Sequence, residues 1–114
     1  MAVIRSFRDL NVYKVARQEA QTIFVTSRNF PAEERYALTD QIRRSSRAVK
    51  AMVAEAWGRR KYPAVFCNKI DEALGEATET QSWLDDCLDS GHISPMEYGR
   101  MDAAWQSVEQ CSTG

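Results

Sequence analysis

The sequence predicts an all-α protein, specifically an antiparallel up-down-up-down four-helix bundle. Apolar residues recur at steps of three and four along four separate segments, as the inward face of a helix requires. The connections between these segments are only a few residues long, which favours antiparallel neighbours. Five glycines and three prolines in 114 residues leave little material for long loops. A chain of this length builds one hydrophobic core, so we expect a single domain over residues 1–114.

The first helix is predicted over about residues 8–28. Leu10, Tyr13 and Phe24 belong to its inward face, because they are separated by helical steps. Pro31 follows the end of this segment. The residue before a proline is pushed out of the helical region, so a break is expected there.

The second helix is predicted over about residues 31–57. Proline suits the first turn of a helix, and Glu33 and Glu34 would place negative charge at the positive end of the helix dipole. Gly58 is the expected stop. One inward stripe continues along the segment: Leu38, Ile42, Val49, Val53 and Trp57.

The third helix is predicted over about residues 63–90, with Pro63 in its first turn. Its apolar positions alternate steps of four and three, which makes a sustained heptad pattern. Gly91 can adopt the left-handed conformation that closes a helix. The heptad positions are Phe66, Ile70, Ala73, Ala77, Thr80, Leu84 and Cys87.

The fourth helix is predicted over about residues 95–111. Ser94 and Glu97 have the spacing of a capping box, and Pro95 between them suits the first helical position. Its inward residues are Tyr98, Met101, Trp105 and Val108.

Several functional classes find no support in the sequence. No apolar run is long enough to span a membrane, and the N-terminus lacks the apolar region of a signal peptide, so we expect a cytoplasmic protein. Cys67, Cys87 and Cys111 are widely spaced and suggest neither a disulfide framework nor a zinc site. His92, the single histidine, lies in a predicted turn, where a solvated or capping role is expected. We therefore expect no catalytic site, metal or cofactor.

The charge is divided along the chain, although the net charge is only −1. Residues 1–62 hold 13 Lys and Arg against 6 Asp and Glu, whereas residues 63–114 hold 2 against 10. The second helix concentrates the positive charge. Arg43, Arg47 and Lys50 form one stripe, Arg44 lies beside it, and Arg59, Arg60 and Lys61 follow its end.

Three interpretations of this charge division stay open. The second and third helices can be neighbours whose flanks pair across the bundle. Opposite charge on different faces also suits head-to-tail association, which closes into a ring if the rotation permits. Arginine stripes, finally, contact the phosphates of nucleic acids. In this last interpretation the seven cations of the stripe and the following turn form a multivalent basic surface for RNA or DNA.

Several motifs together resemble one known family, the 23S ribosomal RNA intervening-sequence proteins, over about residues 7–100. Two residues depart from the family pattern, since Met52 replaces an asparagine and Ala56 replaces a glycine in a segment that usually reads Asn-Ile-Ala-Glu-Gly. The motifs that carry the resemblance are Phe7-Arg8-Asp9-Leu10, Phe30-Pro31, Gln41-Ile42-Arg43-Arg44-Ser45-Ser46, Val53-Ala54-Glu55 and Ala73-Leu74-Gly75-Glu76-Ala77.

This resemblance implies a four-helix bundle and a ring assembly. The family is similar to the accessory variability protein of diversity-generating retroelements, which forms a pentamer, binds nucleic acid and partners a reverse transcriptase. The expected function is therefore that of a non-enzymatic homo-oligomer, in particular a pentamer, which binds RNA or DNA and has a reverse transcriptase as a further partner. The alternative is an assembly or scaffolding module that binds only protein.

Overall fold

Four α-helices build the protein. The computed structural model describes the backbone of residues 3–113 and the side chains of residues 3–111. The helices are α1 (Asn11–Ser27), α2 (Asp40–Gly58), α3 (Pro63–Asp89) and α4 (Pro95–Thr113). No β-strand occurs within the described backbone. The predicted all-α fold is confirmed.

The helices pack in the order in which they follow one another. Helix α1 packs against α2 and α4, and α3 packs against the same two helices from the opposite corner. Short turns join the helices, so each runs antiparallel to the next. The molecule measures 44 × 28 × 19 Å. Its topology is therefore the predicted up-down-up-down bundle.

The first α-helix begins later than the sequence predicts, at Asn11 instead of near residue 8. A short 3-10 turn over Phe7–Asp9 precedes it. The Asp9 carboxylate accepts the backbone N–H groups of Arg5 and Ser6 at 2.8 and 3.1 Å, which closes this turn and lowers the pKa of Asp9. Leu10 is extended at ψ 130° and separates the two helical segments.

The start of the second helical segment also differs from the prediction. Pro31 lies outside the helix in an extended conformation, with ψ 145°. A 3-10 turn over Ala32–Glu34 follows, and then a π-helical turn over Arg35–Thr39 leads into α2. The wider π turn changes the helical phase. Leu38 and Thr39, which are consecutive, are consequently both buried.

The core lies along the predicted stripes, with one exception. In α2 the residue that faces the interior near the C-terminus is Ala56, which is fully buried, while Trp57 is only half-buried. Trp105 of α4 lies in the centre of the core. Ser45 and Thr80 share a buried 2.8 Å hydrogen bond, which fixes the register of α2 against α3.

The turn between α3 and α4 follows the predicted chemistry. Gly91 adopts φ +74°, and the backbone N–H of His92 donates to the Cys87 carbonyl at 2.9 Å, as in a Schellman cap. Ser94 and Glu97 form the predicted capping box, with hydrogen bonds of 3.0 and 3.1 Å.

The imidazole of His92, by contrast, is not a solvated turn residue. Its Nε2 lies 2.7 Å from the carboxylate of Glu34, and its side chain is only 13% exposed. The Phe30 ring packs beside it with centroids 5.4 Å apart. These contacts attach the α3–α4 turn to the irregular turn that leads into α2.

Candidate nucleic-acid interface

Three arginines surround one phenylalanine where α1 packs against the start of α2. The guanidinium carbons of Arg28, Arg43 and Arg47 lie 4.9, 4.7 and 4.9 Å from the centre of the Phe24 ring. Each distance is within the range of a cation–π contact. We call Arg28, Arg43, Arg47 and Lys50 the basic ridge.

Helical spacing explains why these side chains meet. Arg43 and Arg47 are four residues apart on α2, as are Phe24 and Arg28 at the end of α1, so each pair occupies one side of its helix. Arg43 is held most firmly, because its Nε donates a 2.7 Å hydrogen bond to the hydroxyl of buried Ser27. Lys50 continues the same side of α2, one turn beyond Arg47.

The positive charge of the basic ridge is not neutralised within the described part of the protein. None of its four cations forms an ion pair with a described residue. Phe24 attracts the guanidinium groups through its π electrons and carries no charge. The ridge can therefore accept an anionic ligand without first breaking a salt bridge.

Arg44 is directed away from the ridge, towards α3. Its two terminal nitrogens bind the carboxylates of Glu76 and Glu79 at 3.4 and 3.0 Å. These contacts, chiefly the hydrogen bond to Glu79, raise the pKa of Arg44. The pairing of α2 with α3 expected from the charge division thus occurs at this residue, and the structure does not bring Arg44 together with Arg43 and Arg47.

The carboxylates that share Arg44 differ in their pKa. Burial, aided by a hydrogen bond with Glu79, raises the pKa of Glu76. Burial alone would also raise the pKa of Glu79, but hydrogen bonds with Glu76 and Arg44 outweigh it and lower that pKa. One guanidinium therefore organises two acids with opposite shifts.

The remaining predicted cations, Arg59, Arg60 and Lys61, lie in the turn between α2 and α3. This turn is about 18 Å along the helix axis from Arg47, at 1.5 Å per residue. Arg60 lies over the Trp57 ring at 4.2 Å, and Lys61 lies over the Tyr62 ring at 5.2 Å. The seven predicted residues thus separate into the ridge, the α3-facing Arg44 and this turn.

Sequence reasoning missed two members of the site, Phe24 and Arg28. Phe24 was assigned to the inward face of the first helix, and it is in fact half-buried at the edge of the bundle. Its spacing of four residues from Arg28 was the available signal. Which side of α1 would meet the Arg43 stripe could not be read from one helix alone.

Two grooves complete the described surface. Lys14, Arg17 and Arg100 line a shallow groove of about 680 Å³ along the outside of α1. A second groove of about 460 Å³ is mainly apolar and includes Leu10, Val12, Phe66, Ile70 and Leu74. Among residues 3–111 no cluster of His, Cys, Asp or Glu side chains has the arrangement to hold a metal ion. No helix in the described backbone has both the length and the apolar composition for a membrane crossing.

Comparison with known proteins identifies the family. The family model described as 23S rRNA-intervening sequence protein matches residues 8–114. The chain belongs to this family. A crystal structure from Bacteroides thetaiotaomicron, a protein of unknown function from the S23 ribosomal protein family, is similar with a TM-score of 0.79 and 23% identity, covering 90% of this chain and 91% of that one. That similarity shows a shared fold. No curated protein matches the sequence.

The two departures from the usual 23S rRNA-intervening sequence pattern lie at packing positions. Ala56 is fully buried, and Met52 is half-buried against the core. Alanine and methionine are both compatible with a buried helix face. Neither residue belongs to the basic ridge, so neither departure changes its charge.

Proposed function

We propose that this member of the 23S rRNA-intervening sequence family is a non-enzymatic protein that binds the phosphates of RNA or DNA through its basic ridge. One observation carries the proposal, namely the convergence of Arg28, Arg43 and Arg47 on Phe24 with no carboxylate paired to them. Arginine presents five N–H donors in a planar fork, which suits phosphate oxygens.

Electrostatics supports a polyanionic ligand. Guanidinium groups gathered around one ring repel one another, and a phosphate between them relieves that repulsion. The hydrogen bond from Arg43 to Ser27 and the contacts with Phe24 restrict the side chains before any ligand arrives. Less conformational entropy is then lost on binding.

Self-association is the second part of the proposal. A homo-oligomer, which the family resemblance suggests to be a pentamer, would repeat the ridge and raise its effective affinity through multivalency. We assign a second copy of the chain to the apolar groove that includes Phe66 and Ile70. The divided charge of the chain favours such contact between unlike surfaces of two copies. A reverse transcriptase is a further partner in this proposal.

The competing function is assembly through protein contacts alone, which the apolar groove also supports. Ionic strength separates the two functions. If all four ridge cations of one protomer contact phosphates, log K should fall with log[salt] with a slope of about −3 to −4. Titrating a fluorescent RNA oligonucleotide at 50 to 300 mM salt measures this slope. No binding at the lowest salt would exclude the nucleic-acid function and leave assembly.

Sedimentation of the purified protein tests the oligomer separately. Ile70→Asp should reduce the sedimentation coefficient because it places a charge in the apolar groove. Asp71→Asn, at the polar edge of the same groove, is the matched control and should leave the coefficient unchanged. A wild-type protein that sediments as a monomer at all concentrations would contradict the self-association.

A further inference from the structure

The turn between α2 and α3 combines exposed aromatic rings with cations. Trp57, Arg60, Lys61 and Tyr62 lie within six consecutive residues, and the two cations lie over the two rings. The Tyr62 ring is 55% exposed. Among described residues neither Arg60 nor Lys61 is paired to a carboxylate.

The turn is also rigidly built. The Tyr62 N–H donates to the Arg59 carbonyl at 2.9 Å, and the Tyr62 carbonyl accepts the first backbone bond of α3, from Phe66 at 2.9 Å. Arg60 Nη1 donates to the Trp57 carbonyl at 2.9 Å, so this guanidinium is fixed in place. Pro63 at the start of α3 further limits the backbone. A ring presented on such a turn loses little freedom on binding.

The turn adjoins the end of the basic ridge. Trp57 lies seven residues after Lys50, on the same side of α2 and about 10 Å further along its axis. A strand whose phosphates follow the ridge therefore reaches the turn with its next nucleotides. Aromatic side chains beside a positive groove bind single strands by stacking on bases, which a paired and stacked duplex does not offer.

We infer that Tyr62 stacks on an unpaired base and that the ligand of the ridge is therefore single-stranded nucleic acid. This inference rests on the proposed function. Lys61 lies over one face of the Tyr62 ring at 5.2 Å. Its charge next to the stacked base attracts the phosphate of the same nucleotide.

Tyr36 provides the contrast. Its ring is 73% exposed and also has a cation nearby, with Arg35 at 5.3 Å. However, Glu33 and Glu34 precede it in the same segment, and their charge repels phosphate. Tyr36 therefore serves as the matched control for an exposed tyrosine that stacks on no base.

The test compares a 20-nucleotide unstructured RNA with a duplex of the same length at 50 mM salt. Tyr62→Ala should weaken binding of the single strand by about fivefold to a hundredfold, the range measured for one base on an aromatic ring. Tyr62→Phe, which keeps the ring, and Tyr36→Ala should stay within about twofold of the wild type. Circular dichroism checks that each variant is folded.

The outcomes distinguish this inference from the proposed function. If the single strand and the duplex bind equally and Tyr62→Ala changes neither, base stacking is overturned while phosphate binding stands. If neither ligand binds the wild type, both proposals are overturned. A fluorescent adenine analogue in the single strand adds a direct readout, since stacking on Tyr62 should quench it in the wild type and not in Tyr62→Ala.

Discussion

Arg43 is fixed by Ser27, whose buried hydroxyl accepts a 2.7 Å hydrogen bond from the arginine Nε. This bond crosses from α2 to α1 and sets the position of the guanidinium over Phe24. The serine hydroxyl also donates to the Phe24 carbonyl at 3.0 Å. A buried polar residue of the core thus determines the geometry of a surface charge.

Replacing this serine tests the link between core and surface. Ser27→Ala should lower the free energy of unfolding by about 1 to 2 kcal/mol, because Arg43 loses its acceptor. It should also weaken nucleic-acid binding, since the guanidinium becomes free to move. Urea denaturation and RNA titration measure the two effects. Thr22→Ala is the control, because its hydroxyl bonds only to a carbonyl of its own helix. Full affinity in Ser27→Ala would contradict the positioning role.

Arg44 should behave differently from its neighbour Arg43. Its ion pairs are at the surface, with half of its side chain exposed, so Arg44→Gln should cost less than about 1 kcal/mol of stability. Because the pKa of Glu79 is lowered in the folded protein, its contribution is present above its unfolded pKa, near 4.5, and is lost as the pH falls further. Chemical denaturation at pH 7 and pH 3 should show the difference between wild type and Arg44→Gln shrinking at the lower pH.

The three cysteines should react unequally. Cys67 and Cys111 are exposed, whereas Cys87 is buried, and burial raises the pKa of its thiol to about 12. The thiolate is the reactive form, so a thiol reagent at pH 8 should label two cysteines quickly and the third only on unfolding. Because the folded pKa exceeds the ordinary value of 9.0, this thiol's contribution to stability is present below pH 9 and is lost towards pH 12. Rapid labelling of all three in the native protein would contradict the core packing.

Much of the fold could be predicted because its signals are local. The capping box of Ser94 and Glu97 and the left-handed Gly91 depend on a few adjacent residues, and all are present in the structure. The π turn before α2 could not be predicted in this way. Its wider phase lets the consecutive Leu38 and Thr39 both be buried, which depends on packing against other helices.

The candidate site was only partly predictable for the same reason. The stripe of Arg43 and Arg47 follows from helical spacing, but the ring on which they converge belongs to another helix. Arg44 was grouped with them because it is adjacent in sequence. One residue along a helix is a rotation of about 100°, enough to direct its side chain to the acids of α3. His92 was expected in solvent, and its partner Glu34 is 58 residues away in the chain.

One comparison tests the central claim most directly, the affinity for a single-stranded RNA oligonucleotide of two variants with equal net charge. Arg47→Glu/Lys50→Glu reverses two cations of the basic ridge that accept no structural hydrogen bond. Lys14→Glu/Arg100→Glu reverses two cations of the groove outside α1. Long-range attraction changes alike in both, so only contact at the ridge separates them.

We expect the ridge variant to bind at least about tenfold more weakly than wild type at 100 mM salt, and its salt slope to fall by about 2, one for each lost phosphate contact. The groove variant should retain affinity within about threefold. Thermal unfolding verifies that both are folded. Equal losses in the two variants, or a greater loss in the groove variant, would contradict binding at the ridge formed around Phe24.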